Sequence, residues 1–228
     1  MVFRNPFKGL SRFEWLLWSF SIVIVSGSFI LSGGFFLLSL IASLVGVTAL
    51  IFVAKGDVWG QLLTVFFSLL YAVVSFKFRY YGEMITYLGM TAPIAVLSVI
   101  SWLKHPYSGT TEVKVHHLAK GQRKQIVLIT LVVTFVFYFI LAYFNTANLL
   151  ISTLSVATSF SASFLMLYRS PIYALAFGVN DLVLIVMWIL ASMDDLSYLP
   201  MVACFIMFLL NDIYGFFNWV RMKKRQQA

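Results

Sequence analysis

The sequence predicts an all-α membrane protein with eight transmembrane helices, and three observations predict it. The 228 residues are 61% hydrophobic and only 11% charged, which is more apolar surface than a water-soluble core can hide. The apolar residues gather in eight nearly uncharged runs of about 18 residues or more, enough for a helix to cross a hydrocarbon layer of about 30 Å. The runs are continuous rather than alternating, which excludes a spanning barrel built from strands of about ten residues with period two.

In chain order the runs are 13–31, 35–54, 58–76, 84–103, 126–144, 148–168, 172–193 and 196–219. The first has no small-residue cleavage pattern, so no separate signal peptide is expected. Gly33-Gly34 ends the loop after it. The one long interruption, KHPYSGTTEVKVHHLAKGQRKQ at 104–125, has the Pro, Gly and charge of a loop. An even number of spans puts both termini on one face, and that face receives 14 of the 16 Lys and Arg, Lys77 and Arg79 falling opposite. Both termini and the long loop are therefore expected in the cytoplasm. Topology and anionic headgroups account for the net charge of +8, so the lipid bilayer is an expected partner and nucleic acid is not.

A shift of 117 residues lays Trp102 on Trp219, Tyr81 on Tyr198, Met84 on Met201 and Ser75 on Ser192, and sets Tyr71 opposite Trp188. Span lengths and short connections also match between spans two to four and six to eight. The expected organisation is thus 1+3+1+3. Residues 1–34 form an N-terminal segment and additional helix, 35–103 a three-helix bundle, and 104–125 the loop. A linker helix at 126–144 leads to a second bundle at 145–219 and a basic tail at 220–228. Two bundles joined by one helix point the same way, as parallel repeats in transporters do.

Ionisable groups at membrane depth cost several kcal/mol and are functional candidates by default. Asp181 lies near the middle of span seven and Asp212 in span eight, whereas Glu14, Asp57, Glu83, Asp194 and Asp195 fall at ends or in loops, where solvation is expected. At about 100° per residue, Phe177, Asp181 and Trp188 share a stripe of span seven, with Asn180 adjoining. Gln61, Thr64, Ser68, Tyr71 and Ser75 share one face of span three. In NDIYGFFNW at 211–219, Asn211, Gly215 and Asn218 line up, flanked by Tyr214 and Asp212.

The candidate substrate-binding residues are therefore Gln61, Thr64, Tyr71, Phe177, Asn180, Asp181, Trp188, Asn211, Tyr214 and Asn218. Amides, hydroxyls, aromatic rings and a midplane carboxylate suit a flat, hydroxylated, cationic small molecule such as a nucleoside. The serines of span six read as close-packing residues, and Cys204 as an apolar thiol in the last span. Trp102 and Trp219, each just ahead of a basic residue, read as interfacial anchors. Enzyme chemistry has little support: His105, His116 and His117 all lie in the loop, leaving no intramembrane zinc site or His base, and no phosphate-binding glycine loop occurs. No metal and no cofactor are expected.

YYGEMITYLGMTAPIAVLSVISWLKHPYSGTTEVKVHHL at 80–118, together with NDIYGFFNW at 211–219, resembles the PnuC family of bacterial vitamin transporters over essentially the whole chain. The resemblance implies a SWEET-like fold of two three-helix bundles, often a homotrimer, in the bacterial inner membrane. It implies uptake of nicotinamide riboside by facilitated diffusion, the product being trapped by a cytosolic riboside kinase without a stable complex. Related branches carry deoxyribonucleosides, thiamine or riboflavin. Family substrate sites would place Gln61, Asn180, Trp188, Asn211 and Asn218 against the ligand.

Overall fold

The computed structural model describes residues 5–33 and 36–227. Arg4, Gly34, the boundary expected between 34 and 35, and Ala228 lie outside the described residues. Within them the chain is helical: α1 (Arg12–Leu31), α2 (Leu37–Ala54), α3 (Val58–Lys77), α4 (Tyr81–Thr86), α5 (Ala92–Lys104), α6 (Lys120–Tyr143), α7 (Leu149–Leu167), α8 (Tyr173–Asp194) and α9 (Leu199–Gln227). Eight stretches are long and apolar enough to cross a membrane, α4 and α5 counting together as Tyr81–Lys104. No strand forms among the described residues, only isolated bridges at Asp57–Glu112 and Pro106–Val113.

Span four is not one regular helix. A π turn, Tyr87–Thr91, separates α4 from α5, and Pro93 follows directly. Proline has no N–H for the carbonyl four residues back and its ring crowds that carbonyl, so a wider turn before it relieves the clash. Two boundaries also differ from expectation. The loop after α5 is shorter because α6 starts at Lys120, and the basic tail is the end of α9, which continues to Gln227. Lys, Arg and Gln are good helix formers, and nothing in RMKKRQQ breaks the helix.

The helices pack in a closed order. α2 lies against α3 and α9, α8 against α7 and α9, α3 against α5, and α5 against α7, while α6 touches α7 from outside and α1 lies across α2 and α9. Ile126 and Leu141 are the buried residues of α6, and Val127, Leu131, Val132, Phe135 and Phe139 are exposed, as suits a lipid-facing helix. The α2–α3 corner requires glycine twice. Gly56 has φ +68°, and a Cβ on Gly60 would stand 2.4 Å from the Val53 amide nitrogen.

Two of the pairs superposed by the 117-residue shift meet in space. Trp102 and Trp219 pack at 5.5 Å between ring centroids, and the Trp188 Nε1–H donates to the Tyr71 hydroxyl at 2.9 Å. The two tryptophans that were expected as interfacial anchors are instead fully buried in one core cluster. Their indole N–H groups explain this. Trp219 donates to the Val53 carbonyl at 2.9 Å and Trp102 to the Met166 carbonyl at 3.3 Å, in the last turns of α2 and α7, where each carbonyl also accepts from the following turn, from Gly56 and Arg169. Cys204 is buried as expected.

Three carboxyl groups expected to be solvated are also buried. Glu14 is 2% exposed and Glu83 1%, and Asp57 is largely covered. Glu14 belongs to a capping box with Ser11 and also accepts from Lys55 at 3.0 Å and Tyr214 at 2.8 Å. It thereby pins the additional helix α1 to the α2–α3 corner and to α9. Asp57 caps α3 by accepting from the Trp59 amide at 3.0 Å. Position near a helix end predicts solvation only when no other segment covers that end, and here α9 and the loop after α5 cover Glu14 and Asp57, and α7 covers Glu83.

Candidate functional site

The site begins with α3, whose polar face turns inward. Gln61 is fully buried, and around it Thr64, Thr91, Ile94, Ala95, Ser98, Ser163, Met166 and Phe177 enclose a cavity of about 10 Å³ between α3, α5, α7 and α8. That is room for about one water molecule. The polar atoms around it are unspent: Gln61 Oε1, Thr91 Oγ1, Ser98 Oγ and Ser163 Oγ have no hydrogen-bond partner. Gln61 uses its amide N–H on the Met166 sulfur, a weak acceptor. Buried unpaired polar atoms cost about 1–3 kcal/mol each, so four around one small cavity mark it as the candidate site.

Of the sequence candidates, Gln61, Thr64 and Phe177 line this cavity. Asn180 and Asp181 lie one turn further along α8. Asn180 accepts from the Thr158 hydroxyl at 2.8 Å, and Asp181 and Asp212 are both buried on the packed helices α8 and α9. Beyond them Tyr71 and Trp188 form a bonded pair within an aromatic layer, with Tyr71 at 4.3 Å from Tyr87 and Trp188 at 4.9 Å from Tyr80. This layer closes the side of the molecule remote from the termini. The Trp102–Trp219 pair, with Tyr173 at 4.9 Å from Trp219, closes the other.

The polar stripe of α9 points elsewhere. Asn211 donates to Ser21 of α1 at 3.2 Å and to the Met207 carbonyl at 2.8 Å. Asn218 donates to the Ala54 carbonyl at 2.8 Å, and Tyr214 is held by Glu14. In this conformation those three serve contacts with α1 and the end of α2. Thr91, Ser98 and Ser163 line the cavity without having been singled out from the sequence. A signal existed for two of them: Thr91, Ala95 and Ser98 are spaced as one small, polar stripe of span four. Ser163 had been grouped with the packing serines of α7.

At the end that carries both termini, the segment between α5 and α6 straps two corners and the end of α9. Val113 donates its amide to the Gly56 carbonyl at 2.9 Å, and His116 to the Arg169 carbonyl at 3.1 Å. Gln226 of α9 takes the Val115 amide at 2.8 Å and gives to the Val113 carbonyl at 3.1 Å. Burial holds the Arg169 guanidinium below its ordinary pKa. No group of three or more His, Cys, Asp or Glu side chains that could hold a metal occurs among the described residues.

A sequence profile of the nicotinamide mononucleotide transporter family matches residues 36–221. The chain is 30% identical over 232 residues to the nicotinamide riboside transporter PnuC of Neisseria mucosa, covering 99% of this chain and 87% of that one. It is 25% identical over 193 residues to the protein of the same name from Haemophilus influenzae, covering 82% and 81%. Among solved structures, the vitamin B3 transporter PnuC superposes with a TM-score of 0.84 at 28% identity, over 96% of this chain and 94% of that chain.

Proposed function

Because the chain belongs to the nicotinamide mononucleotide transporter family, a family of multi-pass membrane transporters rather than enzymes, we propose that it takes up nicotinamide riboside across a bacterial inner membrane by facilitated diffusion. The observation that carries the choice of substrate is the chemistry around the closed cavity. The described lining offers an amide, hydroxyls and the Phe177 ring, and no cation. A nucleoside's hydroxyls and carboxamide find partners there. The phosphate dianion of a mononucleotide finds none and faces buried carboxyl groups nearby.

In this reading Gln61, Thr64 and Phe177, with Thr91, Ser98 and Ser163, hold the riboside, and Asn180 and Asp181 extend the site. The two halves, 35–103 and 145–219, act as parallel three-helix bundles that rock about the cavity, the linker helix and α1 travelling with them. The contacts between Tyr71 and Trp188 and between Trp102 and Trp219 lie across the axis such a motion would use. Tyr71 and Trp188 gate one side. Asn211, Tyr214 and Asn218 reach the ligand only when α9 shifts on α2. The termini lie in the cytoplasm, the protein assembles as a homotrimer, and a cytosolic riboside kinase traps the product without forming a stable complex.

Proteoliposomes test this reading. At zero membrane potential, uptake of labelled nicotinamide riboside should require no sodium, proton gradient or ATP. Uptake that collapses with a protonophore under those conditions would make Asp181 a proton-coupling group. Uptake of thiamine, riboflavin or a deoxyribonucleoside in place of the riboside would reassign the substrate.

A further inference from the structure

Besides Glu14, which is paired with Lys55, three carboxyl groups are buried within the spans: Glu83 in α4, Asp181 in α8 and Asp212 in α9, none more than 3% exposed. They form a column across the packed series α4, α7, α8 and α9. Tyr87 stands one turn beyond Glu83 on span four. No base answers them, since the ion pairs among the described residues are Lys55–Glu14 and Arg225–Glu112. Hydrogen bonding in the column is incomplete as well. Ser155 donates to Glu83 Oε1 at 3.0 Å, yet Glu83 Oε2 and Asp181 Oδ2 have no partner.

The cavity supplies the second observation. Thr91 and Phe177 line it, and about one turn along the same two segments stand Tyr87 and Asp181. The column therefore starts where the unpaired hydroxyls and amide of the cavity end. A buried acidic group without a counter-ion costs several kcal/mol, and a ligand that brings a positive charge removes that cost.

We infer that the carboxyl column recognises the positive charge of the transported molecule, with Asp181 nearest the charge and the cavity groups taking its hydroxyls and amide. The inference rests on the riboside reading, because the ring nitrogen of nicotinamide riboside carries the glycosidic bond and a delocalised positive charge. The competing role is structural: the aspartate pair fastens α8 to α9 whatever is bound. The two roles differ in what they predict for a neutral ligand of the same shape.

Calorimetric titration of the purified protein compares nicotinamide riboside with its 1,4-dihydro form, which keeps the hydroxyls and carboxamide and loses the charge. The wild type should bind the cation at least about tenfold more tightly, as expected for one well-placed charge pair. Asp181→Asn and Glu83→Gln should lower affinity for the cation by a similar factor and that for the dihydro form less than about twofold. Equal affinities in the wild type, or equal losses for both ligands in a folded variant, overturn the inference and leave the riboside reading standing. Failure of the folded wild type to bind either ligand overturns both. The wild-type comparison decides the matter even where a variant does not fold.

Discussion

Replacing Gln61 by leucine should move stability and affinity in opposite directions. Leucine has nearly the same volume as glutamine and removes Oε1, a fully buried acceptor with no partner, whose desolvation costs about 1–3 kcal/mol. The substitution also gives up the N–H contact to the Met166 sulfur, which returns roughly 1 kcal/mol or less for so weak an acceptor. The net change for the empty protein lies between about 0 and +2 kcal/mol, equivalent to a rise of up to about 8 °C in melting temperature for a chain of this size. With ligand bound the sign reverses, because the ligand loses its hydrogen bond at a cost of about 1.5–3 kcal/mol, or about 10- to 150-fold in Kd. The assay is thermal unfolding in detergent with and without nicotinamide riboside, paired with titration calorimetry. A Gln61→Leu protein that melts several degrees lower and binds with unchanged affinity would refute the reasoning, since it would make Gln61 a fastening between helices.

Three other perturbations follow from the geometry. Gly60→Ala puts a Cβ 2.4 Å from the Val53 amide nitrogen, so the α2–α3 corner must open; the melting temperature should fall by several degrees, at about 2–4 °C per kcal/mol, and an unchanged melt would show that the corner yields freely. Asp57, outside the spans, has its pKa raised by burial against the partly offsetting hydrogen bonds from Trp59 and Thr111. A raised folded-state pKa means that the native state binds the proton more tightly, so stability from this group is greatest at low pH and is lost as pH rises from its ordinary value of 3.8 through the folded one. Asp57→Asn keeps the cap and loses the titration; its melting temperature should gain on the wild type as pH rises above 3.8, and a constant difference would contradict the burial argument. Gln226→Ala removes both hydrogen bonds that hold the strap to α9, and deuterium exchange at the Val115 amide should quicken by up to about tenfold, whereas unchanged exchange would mean the Gly56 and Arg169 contacts suffice.

Much of the fold is legible in the sequence because a bilayer asks a simple question of each segment. A run of about 20 apolar residues answers it alone, and all eight runs became spans. The errors share one cause. Glu14, Glu83, Trp102 and Trp219 were sorted by distance from a span's end, whereas their surroundings depend on which other helix covers that end. The carbonyls of Val53 and Met166 draw the two tryptophans inward, and Lys55 with Tyr214 draws in Glu14; neither demand is visible along one helix. The π turn before Pro93 was equally hidden, since proline marks a disturbance without saying which geometry relieves it.

The candidate site divides the same way. The sequence by itself determined that α3, α8 and α9 each carry one polar face, because helical period and composition fix which residues share a stripe. It also determined that Asp181 lies at membrane depth. Only the tertiary structure decided which stripe meets which. It turned Gln61 and Phe177 to a common cavity with Thr91, Ser98 and Ser163, and it buried Asp181 and Asp212 on the packed helices α8 and α9. It committed Asn211 and Asn218 to α1 and the end of α2. The physical reason is that a stripe records only that a polar face must be buried or bound, while the partner that satisfies it comes from the packing of helices far apart in the chain.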